Sequence, residues 1–308
     1  MKEIQKVYIS GLGAIGSAYA SLLFEADPAL VTVIADPERI GRYQKNGITV
    51  NGKPYPFQYS QPGFSQGPAD LILIAVKQHH LEQSIRDIRD FVAEHTIILS
   101  LLNGITSEEI IGRTYGDDKL LFSFVVGTDA TREGTSTRFA NIGKIVFGDK
   151  MNRNFSPKVA AVKELFDRVG IPYQIPEDML RELWWKFMMN VGINQTSAIL
   201  KAPYGVFQKV AEARELMAMA SREVIHLAER NGINLCEADI QKYIQVIDTI
   251  SAAGKTSMLQ DVEACRKTEV ETFAGTVIEL GKKYGVETPV NQILYRMIKT
   301  LEQTYLGG

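Results

Sequence analysis

Three side chains at helical spacing carry the clearest chemical signal in the sequence. In "ELWWKFMMNVGINQTSAI", Lys186, Asn190 and Asn194 stand at i, i+4 and i+8, so they share one helix face. The stretch they cover is roughly 12 Å of helix axis, about the size of a small-molecule substrate. Trp184, Trp185, Phe187, Met188 and Met189 surround them, which predicts a largely buried helix. Burial lowers a lysine pKa and makes it a proton donor usable near neutrality. The plainer reading is a solvated polar stripe or a capped core, and spacing alone does not separate the two. Ser257 and Glu269, 12 residues apart in "KTSMLQDVEACRKTEVE", add a hydroxyl and a carboxylate. A pair at that distance occurs in most helical proteins, so on its own it says little.

A second group of residues falls where strands end. "VYISGLGAIGSAYASLLF" contains Gly11-x-Gly13-x-x-Gly16 after an apolar run. Such a turn between a strand and a helix holds a dinucleotide: Gly11 for the tight turn, Gly13 for close approach of the pyrophosphate, Gly16 for helix–strand packing. The same letters imitate a secretory leader, with Ala18-Tyr19-Ala20 as its cleavage site. Three glycines in six residues break up a leader's apolar core, and Glu3 interrupts its leading positive charge. The cofactor reading is therefore the better one. Asp36 closes the following strand, where a carboxylate accepts hydrogen bonds from ribose hydroxyls, as suits NADH. At about 5 Å and an effective dielectric of about 20, it would repel a 2′-phosphate by roughly 3 kcal/mol per unit charge. Arg39 or Arg42 could offset that by pairing with the phosphate. Lys77 in "LILIAVK" and Asn103 in "LLNG" end their own strands, the places where open α/β sheets bind ligands.

The elements that position these residues fall into two rhythms. Up to residue 177, short apolar runs alternate with helical stretches. Strands are expected at 7–10, 31–35, 71–76, 96–101, 121–126 and 142–147, with a crossover helix at 81–92. Asn51-Gly52, between alternating apolar residues, predicts a hairpin within 48–58. This is an α/β Rossmann domain with a mostly parallel sheet, residues 1–177. From 178 to 308 the pattern becomes helical, with segments at 179–200, 210–231, 237–250 and 268–284 and a last one after Pro289. That half is expected to be an all-α substrate-binding domain.

Composition sets outer bounds. The 308 residues are 45% hydrophobic and 23% charged, with 34 basic and 36 acidic side chains and a net charge of −2. This is ordinary for a soluble chain of two domains, and no basic excess points to nucleic acid. The apolar runs are too short to span a membrane. Cys236 and Cys265 are isolated and read as free cytoplasmic thiols. The four histidines have no metal spacing; His79 and His80 are adjacent and should point different ways in a helix or strand. An exposed apolar helix face in the second half could support a homodimer, though no stripe singles one out.

Together these residues resemble the ketopantoate reductase (2-dehydropantoate 2-reductase) family along nearly the whole chain. The resemblance rests on "GLGAIG", "AVK" at 75–77, "LLNG" at 101–104, "WKFMMNVGIN" at 185–194, "TSMLQD" at 256–261 and "KTEVE" at 267–271. It implies a Rossmann domain joined to a helical domain, the active site in the cleft between them, and reduction of ketopantoate to (R)-pantoate on the route to pantothenate and coenzyme A. By the same resemblance, Lys186 is the catalytic lysine and Glu269 the active-site glutamate. Asn190, Asn194 and Ser257 bind substrate, while Asn103 and Lys77 flank the nicotinamide and its ribose. The family usually uses NADPH, with a basic residue near the position of Asp36, so Asp36 keeps NADH open. A reductase of another small 2-keto acid is the nearest alternative; a non-catalytic NAD(P) sensor is a remote one, since a sensor needs neither Lys186 nor Glu269.

Overall fold

Every residue of Val7–Ser10, Leu71–Ile74 and Ile97–Ser100 is buried, as strands covered on both faces require. The computed structural model describes residues 3–306. It divides between Leu180 and Arg181 into two compact units.

Among the described residues the first unit holds twelve strands: β1 (Val7–Ser10), β2 (Val31–Ile34), β3 (Thr49–Val50), β4 (Lys53–Pro54), β5 (Gln58–Ser60), β6 (Leu71–Ile74), β7 (Ile97–Ser100), β8 (Leu120–Val126), β9 (Thr131–Glu133), β10 (Ser136–Arg138), β11 (Lys144–Gly148) and β12 (Tyr173–Gln174). Eight of them form one sheet in the order β12-β11-β8-β7-β6-β1-β2-β5. All its neighbours are parallel except β8 and β11. Five helices accompany them: α1 (Ala14–Ala26), α2 (Pro37–Asn46), α3 (Leu81–Asp87), α4 (Ser107–Tyr115) and α5 (Pro157–Val169). Alternation along each strand divides the core. Val7, Ile9 and Leu71 pack with Leu23 of α1 and Phe166 of α5. Tyr8, Ile72 and Ile98 pack on the other face with Ile85 of α3 and Ile111 of α4.

Three local expectations change. The crossover helix is confined to α3, with 3₁₀ turns at Gln78–His80 and Arg89–Phe91 on either side. His79 and His80 therefore lie on one tight turn, and their rings come within 4.2 Å of each other rather than diverging. The Asn51-Gly52 hairpin forms, with φ of 49° and 81° at its two turn residues, but it pairs only the two-residue strands β3 and β4. It belongs to a second sheet, β4-β3-β10-β9, whose other two strands, β9 and β10, are three residues long and give no periodic signal in the sequence.

The second unit is helical: α6 (Met179–Leu200), α7 (Tyr204–Lys209), α8 (Ala211–Arg230), α9 (Glu237–Thr249), α10 (Ser257–Glu263), α11 (Thr276–Tyr284) and α12 (Pro289–Leu306). The helix expected from residue 268 begins later, as a π-helical turn at Glu271–Gly275 leading into α11. A Cβ on Gly192 would overlap Ser221 of α8, so glycine lets α6 and α8 approach closely. A buried network then fixes the rotation of α6. The Glu223 carboxylate accepts from the backbone N–H groups of Val290 and Asn291 at 2.7 and 3.0 Å, at the start of α12. Asn291 accepts in turn from Gln195 Nε2 of α6 at 3.0 Å. Cys236 and Cys265 are exposed free thiols. No helix among the described residues is long and apolar enough to cross a membrane.

Candidate active site

In the first unit the site begins where β1 ends. β1 is flanked by β2 on one side and β6 on the other, a topological switch point of the kind that opens a crevice at strand carboxyl ends. Gly11 has φ of +102°, and a Cβ there would lie 2.7 Å from the Ala75 carbonyl oxygen. A Cβ on Gly16 would overlap the Gly11 carbonyl. Protein packing thus demands glycine at both positions. Gly13 differs: it has φ of −72°, and a Cβ there would meet only the Ala75 oxygen, at 3.7 Å. The protein leaves room at Gly13, the N-cap of α1, where the helix's first N–H groups have no side-chain cap. That fits a pyrophosphate approaching the backbone.

The crevice beside this turn is lined by Gly11, Leu12, Arg39, Tyr43 and Val76. Asp36 caps α2, its Oδ1 accepting from the Arg39 N–H at 2.8 Å, and Pro37 follows at the first helical position. Its other oxygen pairs with Arg39 Nε at 3.3 Å. The ribose carboxylate expected from the sequence is therefore also a helix cap with its charge offset by its own helix. Lys77 and Asn103, both half-buried, follow the carboxyl ends of β6 and β7.

In the second unit two polar groups of the predicted helix face, Asn190 and Asn194, form a chain with Ser257 of α10. Asn194, buried on α6, donates from Nδ2 to Asn190 Oδ1 at 3.1 Å. Its own Oδ1 accepts from Ser257 Oγ at 3.2 Å and from the Met258 N–H at 3.4 Å. Thr256 caps α10 by accepting from the Leu259 N–H at 3.2 Å, which sets Ser257 as the first residue of that helix.

Lys186 is half-buried on the same helix. Burial pushes its ammonium down to about 8, against the opposing pull of the Glu269 charge. Glu269 is buried just before the π turn. A tether missed by sequence reasoning holds that stretch. Glu302 of α12, itself buried, accepts from the Thr268 N–H at 2.8 Å and the Thr268 hydroxyl at 2.6 Å. Its second oxygen receives Lys299 Nζ at 2.8 Å. Only a pairing signal across 34 residues could have revealed it. Each unit thus assembles part of the predicted set: the glycines, Asp36, Lys77 and Asn103 in the first, and Lys186, Asn190, Asn194, Ser257 and Glu269 in the second.

Comparison with known proteins gives a consistent result. A family model described as ketopantoate reductase PanE/ApbA matches residues 7–152, and one for its C-terminal region matches residues 178–302. A 2-dehydropantoate 2-reductase of Aquifex aeolicus is 27% identical, with 97% of each chain covered. One of Pyrococcus horikoshii is 28% identical over 98% of this chain and 99% of that one. Among solved structures, a D-mandelate dehydrogenase with NADH and anilino(oxo)acetate is similar with a TM-score of 0.86 at 23% identity, covering 98% of this chain and 99% of that one.

Proposed function

The chain belongs to the ketopantoate reductase PanE/ApbA family of NAD(P)H-dependent oxidoreductases, and on that premise we propose that it is a 2-dehydropantoate 2-reductase, converting ketopantoate to (R)-pantoate for pantothenate and coenzyme A synthesis. The observation that carries this reading is Lys186, a cation brought to about 8 by burial on the helix face that also bears Asn190 and Asn194. When bound at the Gly11–Gly16 turn, a reduced nicotinamide cofactor would provide the hydride for carbon 2 of the keto acid.

The chain's own residues then do the following. Lys186 Nζ donates a hydrogen bond to the keto oxygen and passes it a proton as negative charge develops there. A pKa of about 8 keeps most of the lysine protonated at neutrality and still lets it release the proton. A fixed ammonium beside the growing charge is the electrostatic contribution expected to matter most. Glu269 keeps the ammonium charged against its burial. Asn190, Asn194 and Ser257 hold the carboxylate and hydroxyl of the substrate. Lys77 and Asn103 flank the nicotinamide and its ribose, and the Gly11–Gly16 turn takes the pyrophosphate.

NADPH is the favoured cofactor, since Arg39 offsets the Asp36 charge that a 2′-phosphate would meet. Asp36 itself favours NADH as a second reading, because a carboxylate at the end of β2 accepts from ribose hydroxyls. The test is oxidation of NADPH and of NADH by the purified chain in the presence of ketopantoate, with the product's configuration determined. Turnover to (R)-pantoate supports the reading. Binding of either cofactor without turnover overturns it in favour of another small 2-keto acid.

A further inference from the structure

The second, small sheet brings an arginine to the glycine turn that neither strand pattern nor motif singles out. Arg132 lies on β9, opposite Thr137 of β10 in the hairpin register. Its Nε donates to the Gly134 carbonyl at 2.9 Å, within the same hairpin. Its Nη1 donates to the Leu12 carbonyl, between Gly11 and Gly13, and to Ser17 Oγ at 2.6 Å, in the first turns of α1. The guanidinium stands 5.8 Å over the ring of Tyr43, a residue lining the crevice, and Arg42 stands 5.6 Å from the same ring.

The charge at this place is unusual. Arg132 makes no ion pair with a carboxylate among the described residues, and Nη2 has no hydrogen-bond acceptor among them. Burial lowers its pKa, and the Arg42 charge lowers it further against a pull from Tyr43. It also sits beside the positive end of α1. The Leu12, Gly134 and Ser17 oxygens and the Tyr43 ring hold this partly desolvated cation, but they carry no full negative charge to balance it beside a second cation and a helix N-terminus; an anion would. A guanidinium with one amino group tied to the turn and the other open matches a phosphate, which takes parallel N–H donors.

We propose that Arg132 is a cofactor-binding residue, reaching from the β9–β10 hairpin to a phosphate group of the dinucleotide at the Gly11–Gly16 turn. The inference rests on the dinucleotide reading of that turn. Two phosphates share this chemistry: the pyrophosphate, beside Leu12 and Gly13, and the 2′-phosphate of NADPH, toward Arg39 and Arg42.

The test is calorimetric titration of NADH and NADPH into the wild-type chain, Arg132→Met and Arg132→Lys, at low and high salt, with thermal melting as a check on folding. Arg132→Met is expected to weaken binding by about tenfold to hundredfold and to lose part of the salt dependence, with Arg132→Lys in between. Equal losses for both cofactors assign the pyrophosphate; a loss confined to NADPH assigns the 2′-phosphate. Should Arg132→Met fail to fold, Arg132→Lys carries the comparison, because it keeps the charge and loses the fork. Affinities within twofold of wild type in folded variants overturn the proposal. So does weaker binding with unchanged salt dependence, the signature of a clamp that only shapes the turn. A wild-type chain that binds neither cofactor overturns the dinucleotide reading itself.

Discussion

Asn194 Nδ2 donates to Asn190 Oδ1 at 3.1 Å, one helical turn back on the same face of α6. The direction of that bond is set from outside the pair. The Met258 N–H can only donate, so the atom it meets on Asn194 must be the carbonyl oxygen. Asn194 must then offer its amide nitrogen to Asn190, whose oxygen is used, and the donor end of Asn190 is left for an anionic group. A backbone N–H on α10 thus determines that a side chain on α6 presents N–H rather than C=O.

Asn194→Asp tests this polarity. The new carboxylate keeps the bonds from Ser257 and Met258 but adds a negative charge where a keto acid's carboxylate is to bind. At about 5 Å and an effective dielectric of about 20 the repulsion is roughly 3 kcal/mol, or about a hundredfold in kcat/KM. The loss is expected mainly in KM, and the melting temperature should fall as well, because the new charge is buried. An unchanged KM for a 2-keto acid would exclude this face as the carboxylate site.

Lys186 makes activity and stability depend on pH in opposite senses. On the proposed mechanism its proton is consumed at the keto oxygen, so kcat/KM should hold below pH 8 and fall about tenfold per unit above it. Its folded-state pKa of about 8 lies below the ordinary lysine value of about 10.4, so between those values the unfolded chain binds more protons than the folded one. The destabilisation is fully present below about pH 8 and is relieved as pH rises toward the unfolded value. Lys186→Met should therefore melt at higher temperature than wild type at pH 7, with the difference shrinking by pH 10. Calorimetric melting of both chains across that range checks it; a variant less stable at pH 7 contradicts it.

The glycines separate packing from ligand approach. Gly16→Ala has no room beside the Gly11 carbonyl and should destabilise the chain by about 3 kcal/mol. Gly13→Ala meets only the Ala75 oxygen at 3.7 Å and should fold within about 1 kcal/mol of wild type. Its affinity for the dinucleotide should nevertheless fall at least about tenfold, because the methyl occupies the space a phosphate needs. Urea unfolding and cofactor titration on the two variants check the contrast.

Glu302 is expected to act on the site through Thr268. Glu302→Ala leaves the Thr268 N–H and hydroxyl without their acceptor in a buried place, at about 1–3 kcal/mol each. Glu302→Gln keeps an accepting oxygen and should lose less. If the tether positions the adjoining Glu269, kcat/KM should fall in the alanine variant and recover largely in the glutamine one. Lost stability with unaltered kcat/KM in both would make the tether structural only.

How much of this was legible in the sequence depended on range. α6 runs from Met179 to Leu200 as expected, because a 22-residue stretch with no proline is too long for a strand and reads as helix by length. β1, α1 and the glycine turn were legible because strand, turn and helix are adjacent in the chain. The boundary expected after residue 177 falls between Leu180 and Arg181. Of the second sheet only the Asn51-Gly52 hairpin of β3 and β4 was legible; β9 and β10, three residues each, have no period to read. Asp36 was read for its charge alone; its capping role depends on the local geometry of Pro37 to Arg39. Arg132 and Glu302 act on residues 120 and 34 positions away, and one sequence contains no sign of such pairings.

Lys186 is proposed to give its proton to the keto oxygen. The most direct measurement is the rate of cofactor oxidation with ketopantoate by the wild-type chain and by Lys186→Ala, at saturating NADPH or NADH and neutral pH. A loss of about 10²–10⁴ in kcat, with cofactor affinity unchanged, is the result predicted for a general acid. A loss below about threefold would contradict it and remove Lys186 from the chemistry.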